Sequence, residues 1–163
     1  MAGERNHYER AFSTLLKEQG VKALAVEERR RPALEGRVLK HFDFLVNGSE
    51  KVWALDLKGR RQTPWITRTD LFSMMGWQKL LAEKASLAFV FAFMGHGRRL
   101  DDLPALAWDC AGARYHFCLM ELQDAQRLAR PRSARWGTFG FEWKAFCRCV
   151  RGLEDLISAQ IPR

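Results

Sequence analysis

The segment Lys40–Lys58 reads KHFDFLVNGSEKVWALDLK and contains two apolar runs that are separated by a turn. Residues 40–46 and 51–58 are rich in aromatic and branched side chains, so they predict two strands. Between them lies Asn47-Gly48, which is the strongest short-range signal for a β-hairpin. The segment therefore predicts an antiparallel strand pair, and the rest of the chain can be interpreted around it.

Three ionisable side chains of this hairpin are predicted to share one site. If the chain turns through Gly48–Lys51, Asp43 and Asp56 are cross-strand neighbours, and side-chain alternation places Lys58 on the same face as Asp56. Two carboxylates this close repel each other and need a cation. Mg²⁺ suits them, because it binds a few carboxylate oxygens together with water and substrate phosphate. Lys58, which we expect near solvent at the strand end, is then placed to hold the attacking water or to stabilise charge on the phosphate.

Outside the hairpin, helical and strand-like patterns alternate along the chain. They predict helices at 6–19, 69–83 and 121–130, strands at 21–28, 86–94 and 114–120, and loops at 29–37 and 59–65. Asn6 is the expected N-cap of the first helix with Glu9 in a capping box, and Thr69 or Asp70 is the expected cap of the second. This order predicts an α/β fold with a mixed central sheet flanked by helices.

Composition and charge narrow the class of protein. Of 163 residues 47% are hydrophobic, which suits one domain, 1–163, with a core at 6–130 and an aromatic-rich extension at 131–163. The longest apolar run, Leu87–Met94, is too short to span a membrane, and the charged N-terminus lacks the apolar region of a secretory signal. We therefore expect a cytoplasmic protein with no membrane partner.

An excess of basic residues points to a polyanionic partner. The chain has 27 Lys and Arg against 19 Asp and Glu, which gives a formal net charge of +8. Such an excess favours nucleic acid as the partner, and we expect DNA more than RNA, with a homodimer as a possible assembly. Two basic clusters flank the acidic site in sequence, and from them we predict nucleic-acid-binding roles for five arginines: Arg29, Arg30, Arg31, Arg60 and Arg61.

The pattern Phe42-Asp43 followed by Asp56-Leu57-Lys58 resembles the PD-(D/E)xK, or restriction-endonuclease-like, nuclease superfamily. The proline that commonly precedes the first aspartate there is absent. A narrower resemblance, to the uncharacterised HYExAFE family, lies in His7–Phe12, HYERAF, although the last residue of that signature is Ser13 here.

The superfamily resemblance implies a role for each site residue. Asp43, Asp56 and the Leu57 carbonyl would bind the metal, and Lys58 would position or activate water. Glu9, on the first helix, would bind a second metal or a metal-bound water. Gln78, on the helix after the third strand, would orient Lys58 or a phosphate.

These observations predict a nuclease that depends on Mg²⁺ or Mn²⁺. Two alternatives remain open: a nucleic-acid-binding or interaction module that has the fold without the activity, and a scaffold stabilised by zinc through Cys118, Cys147 and Cys149. Glu9 also has the simpler interpretation of a capping residue, and Gln78 that of a helix-surface amide.

Overall fold

A six-stranded sheet forms the centre of the fold in a computed structural model, which describes residues 6–27 and 31–157. The strands are β1 Ala23–Ala25, β2 Ala33–Leu34, β3 Arg37–Val38, β4 Phe44–Asn47, β5 Val52–Arg60, β6 Trp65–Thr67, β7 Ser86–Met94, β8 Leu106–Cys110, β9 Ala113–Glu121, β10 Arg130–Ser133 and β11 Thr138–Gly140. The helices are α1 His7–Glu18, α2 Arg68–Leu81, α3 Arg98–Asp101, α4 Leu122–Leu128, α5 Trp143–Cys149 and α6 Glu154–Ile157, with a 3₁₀ turn at Ala82–Lys84.

The central sheet has the strand order β1-β4-β5-β7-β9-β8. Only β5 and β7 run parallel, and α2 lies in the connection between them, whereas the other neighbours are antiparallel. The predicted α/β fold with a mixed sheet flanked by helices is confirmed. The continuous apolar run that predicts a central strand is β7, in which residues 87–93 are all buried.

Each face of the sheet carries an apolar core. On one face, α1 packs Phe12 and Leu15 against strand residues such as Phe44. On the other face, Phe91 and Phe93 contact aromatic side chains that follow β11, Phe146 among them. The predicted extension at 131–163 thus contributes residues to both cores over its described part: Phe141, Phe146, Val150, Leu153 and Leu156.

The boundaries of α1 follow from its own residues. The side chain of Asn6 accepts a hydrogen bond from the backbone N–H of Glu9 at 3.0 Å, so Asn6 is the N-cap as predicted. Gly20, just past the helix, has φ of 68°, the left-handed conformation that ends a helix and that glycine adopts without steric cost. None of the described helices is long and apolar enough to cross a membrane.

The differences from the predicted boundaries that bear on the site lie around residues 29–37, 59–65 and 67–70. The loop predicted at 59–65 is shorter in the structure, because β5 continues to Arg60 and β6 begins at Trp65. β6 pairs with β11, more than 70 residues away in sequence, to form a second sheet of order β10-β11-β6. The predicted loop at 29–37 contains the small β2–β3 hairpin in its described part. α2 is capped by Thr67 rather than by Thr69 or Asp70, since Thr67 is the residue that leaves the strand in an extended conformation.

Candidate active site

A cavity of about 610 Å³ opens at the point where α1, β5, β6 and the start of α2 meet. The side chains of the predicted hairpin site lie in its wall. Its ionisable lining consists of His7, Glu9, Lys40, Asp43, Asp56, Lys58, Arg60 and Asp70. The structure therefore brings Glu9 to the same cavity as Asp43, Asp56, Leu57 and Lys58, which all line it.

Asp43 and Asp56 lie opposite each other, as side-chain alternation predicts. Asp43 directly precedes Phe44, whose partner across the β4–β5 pair is Leu55. The Asp43 backbone N–H donates to the Leu55 carbonyl at 2.8 Å, and the Asp43 carboxylate accepts from the Leu57 N–H at 2.7 Å. The chain turns through residues 48–51, where the Gly48 N–H donates to the Lys51 carbonyl. The hairpin thus fixes the separation of the two carboxyl groups.

The electrostatics of this pair favour a bound cation. Burial raises the pKa of Asp43 to about 8, and the charge of Asp56 and a hydrogen bond to its carboxyl group add to that rise. Asp56 is 2% exposed, and its Oδ1 atom has no hydrogen-bond donor among the described residues. A divalent cation between the carboxylates would offset their mutual repulsion and would satisfy the Oδ1 atom. The residues present therefore fit Mg²⁺.

Lys58 is buried rather than near solvent. It is 6% exposed, and its Nζ lies 3.0 Å from Asp56 Oδ2 and 3.0 Å from Asp70 Oδ1. The expectation of a solvent-facing lysine is wrong because β5 ends two residues later than predicted and because β6 and α2 cover its end. The ammonium group is consequently held in one place between two carboxylates.

Asp70 and Lys40 belong to the site, and the sequence reasoning missed both in this role. Asp70 Oδ1 lies 2.7 Å from Lys40 Nζ, while Asp70 Oδ2 accepts from the Thr67 N–H at 2.9 Å. Burial alone would raise the pKa of Asp70, but the neighbouring Lys58 and Lys40 outweigh it and hold that pKa well below its usual range. The available sequence signal was Thr67-x-x-Asp70, a capping box just after a strand.

Lys40 is itself fixed by α2. Its backbone N–H donates to Ser73 Oγ at 2.9 Å, and its carbonyl accepts from Trp77 Nε1 at 2.9 Å. Burial lowers the pKa of Lys40, but Asp56 and Asp70 more than offset that effect and raise it. Trp77 also packs against Phe42, so this tryptophan holds the segment around Lys40 in position.

A close contact with β5 docks the start of α1 at the cavity. The Tyr8 ring lies so near Gly59 that a Cβ atom at position 59 would overlap it, and the Tyr8 hydroxyl donates to the Arg60 carbonyl at 3.3 Å. Half-buried Glu9 follows Tyr8 and lines the cavity. Its backbone N–H and carboxylate both contact the Asn6 side chain, so Glu9 also takes part in the helix cap.

Gln78 does not reach this site. It is exposed and lines a separate cavity with residues such as Glu121. Only the first turn of α2 faces Lys58, and Gln78 is eight residues beyond Asp70, about 12 Å along the helix axis. The prediction that Gln78 orients Lys58 is therefore wrong, and Asp70 makes the contact instead.

The five predicted nucleic-acid-binding arginines are placed differently from one another. Arg29 and Arg30 lie outside the described residues, and Arg31 and Arg61 are exposed. Arg60 lines the cavity, donates from Nε to the Trp65 carbonyl at 2.9 Å, and has its guanidinium 3.7 Å from the centre of the Trp65 ring. Burial lowers the pKa of Arg60 to about 10.

No group of three or more His, Cys, Asp or Glu side chains within 6–27 and 31–157 is arranged to hold a metal ion. Cys118, Cys147 and Cys149 are thus not gathered as zinc ligands, and burial raises the pKa of the Cys118 thiol, which keeps that thiol protonated. Mg²⁺ differs from zinc here, because it commonly binds through one or two carboxylates and water.

Comparison with solved structures relates the fold of this chain to that of a known protein. No family model and no curated protein matches the chain. Among solved structures, the chain is similar to Hjc, a Holliday junction resolvase from the hyperthermophilic archaeon Archaeoglobus fulgidus, with a TM-score of 0.53 and 11% identity over 95% of this chain and 96% of that one. Hjc has the restriction-endonuclease-like fold, so the fold of this chain is of that type. The narrower resemblance to the HYExAFE family is not confirmed.

Proposed function

We propose that this protein is a nuclease that depends on Mg²⁺ or Mn²⁺ and hydrolyses phosphodiester bonds in nucleic acid. The observation that carries the proposal is the placement of Asp43 opposite Asp56 in an open cavity, with Lys58 Nζ 3.0 Å from Asp56. Two carboxylates and a lysine that line one open cavity are suited to metal-assisted phosphodiester hydrolysis.

The metal would be held by Asp43 and Asp56, with the Leu57 carbonyl as a further ligand and Glu9 for a second metal or a metal-bound water. When bound, it supplies positive charge for the phosphate and lowers the pKa of water. Lys58 is fixed by Asp56 and Asp70, so its ammonium can hold water or meet charge that develops on the phosphate without reorganising.

We propose that the substrate is DNA rather than RNA. The formal charge of +8 supports a polyanion, and the similar fold of a Holliday junction resolvase supports DNA as that polyanion. Arg60 and Arg61, with Arg29–Arg31, would contact phosphates around the cavity. A junction of duplexes presents equivalent strands, so we propose that the protein acts on it as a homodimer. We also propose that it acts in the cytoplasm.

The decisive experiment measures cleavage of a panel of single-stranded, duplex, forked and four-way-junction DNA and RNA with Mg²⁺ or Mn²⁺. Lys58→Met keeps the volume of the buried side chain and removes its charge. We expect it to slow cleavage by about 10²–10³-fold while nucleic-acid affinity at fixed salt stays within about twofold. Lys79→Met, at an exposed lysine of α2, is the matched control and should cleave at the wild-type rate.

Circular dichroism is the check that both variants fold, because removal of Lys58 leaves the buried Asp56 carboxylate without its ion-pair partner, whereas Asp70 keeps Lys40. Equal cleavage by wild type and Lys58→Met would place the activity elsewhere. Binding without cleavage by wild type on every substrate would favour a non-catalytic nucleic-acid-binding module.

A further inference from the structure

The β10–β11 hairpin, residues 130–140, extends the wall of the cavity. Its second strand pairs with β6, with Gly140 opposite Trp65 and Thr138 opposite Thr67. Trp65 and Thr67 both line the cavity. The tip of the hairpin is tied to α2 as well, because the Arg68 N–H donates to the Gly137 carbonyl at 2.7 Å. We call residues 130–140 the arginine hairpin.

The arginine hairpin carries positive charge that no carboxylate in the described part of the chain neutralises. Arg130, Arg132 and Arg135 are exposed, and none of them forms a salt bridge with the described residues. By contrast, Arg114 and Arg151 each pair with a carboxylate at 3.2 Å or less. Unpaired guanidinium groups on a rigid strand pair are suited to bind phosphate oxygens.

Two of the guanidinium groups meet at one aromatic ring. Arg60 lies 3.7 Å and Arg132 lies 5.2 Å from the centre of the Trp65 ring. The positive charge of Arg132 acts unfavourably on Arg60, and a phosphate bound near both groups would relieve that repulsion. This ring is the boundary between the cavity and the arginine hairpin, so a bound strand would pass from one to the other.

The tip of the hairpin presents an aromatic surface to solvent. Trp136 is 71% exposed, and the Arg135 guanidinium lies 5.1 Å from its ring centre. An exposed tryptophan on a basic surface offers a face on which an unpaired base can stack. A paired base would be shielded by its neighbours in the duplex.

We propose that the arginine hairpin is the surface that holds DNA, with Arg132 and Arg135 on backbone phosphates and Trp136 stacked on an unpaired base beside a duplex. The inference rests on the proposed function, and it names the class of substrate: branched or forked DNA. It also adds a contact surface, in a segment that follows the predicted core, to the arginines already proposed to contact phosphates.

The test measures binding in EDTA, in the Lys58→Met background, to a forked DNA and to a blunt duplex over a range of salt concentrations. Arg132→Ala/Arg135→Ala should reduce the slope of log K against log salt by about 1.8 on the duplex and about 1.4 on single-stranded arms. Arg132→Lys/Arg135→Lys should restore most of that slope. Lys17→Ala/Lys22→Ala removes two exposed charges at the far end of α1 and should leave the slope at its wild-type value.

Trp136→Ala tests the stacking separately. We expect about 5- to 150-fold weaker binding of the forked DNA and unchanged binding of the blunt duplex. Equal losses from the hairpin pair and from the Lys17/Lys22 pair would overturn the phosphate contacts, and an unchanged affinity for the fork in Trp136→Ala would overturn the stacking.

The outcome is independent of catalysis. Hairpin-dependent binding by a wild-type protein that cleaves nothing would support this inference and overturn the proposed nuclease. Metal-dependent cleavage, together with binding that does not depend on the hairpin, would support the proposed nuclease and overturn this inference.

Discussion

Asp43 is the residue through which pH should change the stability of this protein. Its pKa is about 8 in the folded state, because of burial and the nearby Asp56, and about 3.9 in the unfolded chain. Between these values the folded protein binds one more proton than the unfolded chain. The free energy of unfolding should therefore fall as pH rises from about 4 to 8, and it should level off above that.

Without metal, we expect urea unfolding to show this decline between pH 5 and pH 8, and Asp43→Asn to remove most of it. Addition of Mg²⁺ at pH 8 should raise the stability of the wild type, because the ion binds the folded state. The same addition should do little for Asp43→Asn. A wild-type stability that rises with pH over this interval would contradict the raised pKa.

At the scale of secondary-structure elements, the first turn of α2 combines a helix cap with contacts to the lysines of the proposed active site. One oxygen of Asp70 closes the capping box with Thr67, and the other contacts Lys58 and Lys40. The two functions can be separated, because Thr67→Ala weakens the cap and leaves the lysine contacts in place.

We expect Asp70→Asn to slow cleavage by about 10–100-fold, since Lys58 and Lys40 lose the charge that positions them. The change should appear in kcat more than in KM. Thr67→Ala should lower the free energy of unfolding by about 1 kcal/mol and leave kcat unchanged. Measurement of kcat, KM and urea stability for both variants checks this, and equal kcat losses would reduce Asp70 to a capping role.

The same element shows what local sequence patterns predict and what they miss. The hairpin could be predicted because Asp43, Asp56 and Lys58 lie within 16 residues and follow strand alternation. The β6 strand could not, because its partner lies more than 70 residues further on. When Trp65 is taken for the end of a loop, β6 is missed and α2 is placed one residue late, so the capping box that brings Asp70 to Lys58 is missed.

For the molecule as a whole, both cores depend on residues that follow the predicted core at 6–130. Phe146 is fully buried among the rings of Phe91, Phe93, Phe141 and Trp143. Leu153 and Leu156 pack into the core on the opposite face of the sheet. The segment after 130 should therefore unfold together with the sheet.

We expect one unfolding transition that coincides by tryptophan fluorescence and by far-UV circular dichroism. Phe146→Ala should lower the free energy of unfolding by about 3–5 kcal/mol and keep the two transitions together. Phe72→Ala, at a 46% exposed phenylalanine, is the matched control and should cost less than about 1 kcal/mol. Two separate transitions in the wild type would indicate an independently folding extension.

The contact of Gly59 with Tyr8 has a consequence for how this sequence can diverge. A side chain at position 59 would occupy the volume of the Tyr8 ring, so substitutions at these two positions cannot be accepted independently of each other. Descendants that acquire alanine at 59 should be viable only where position 8 has already become small. Strand β5, which carries Asp56, and helix α1, which begins beside it, should therefore change together in evolution at these two positions.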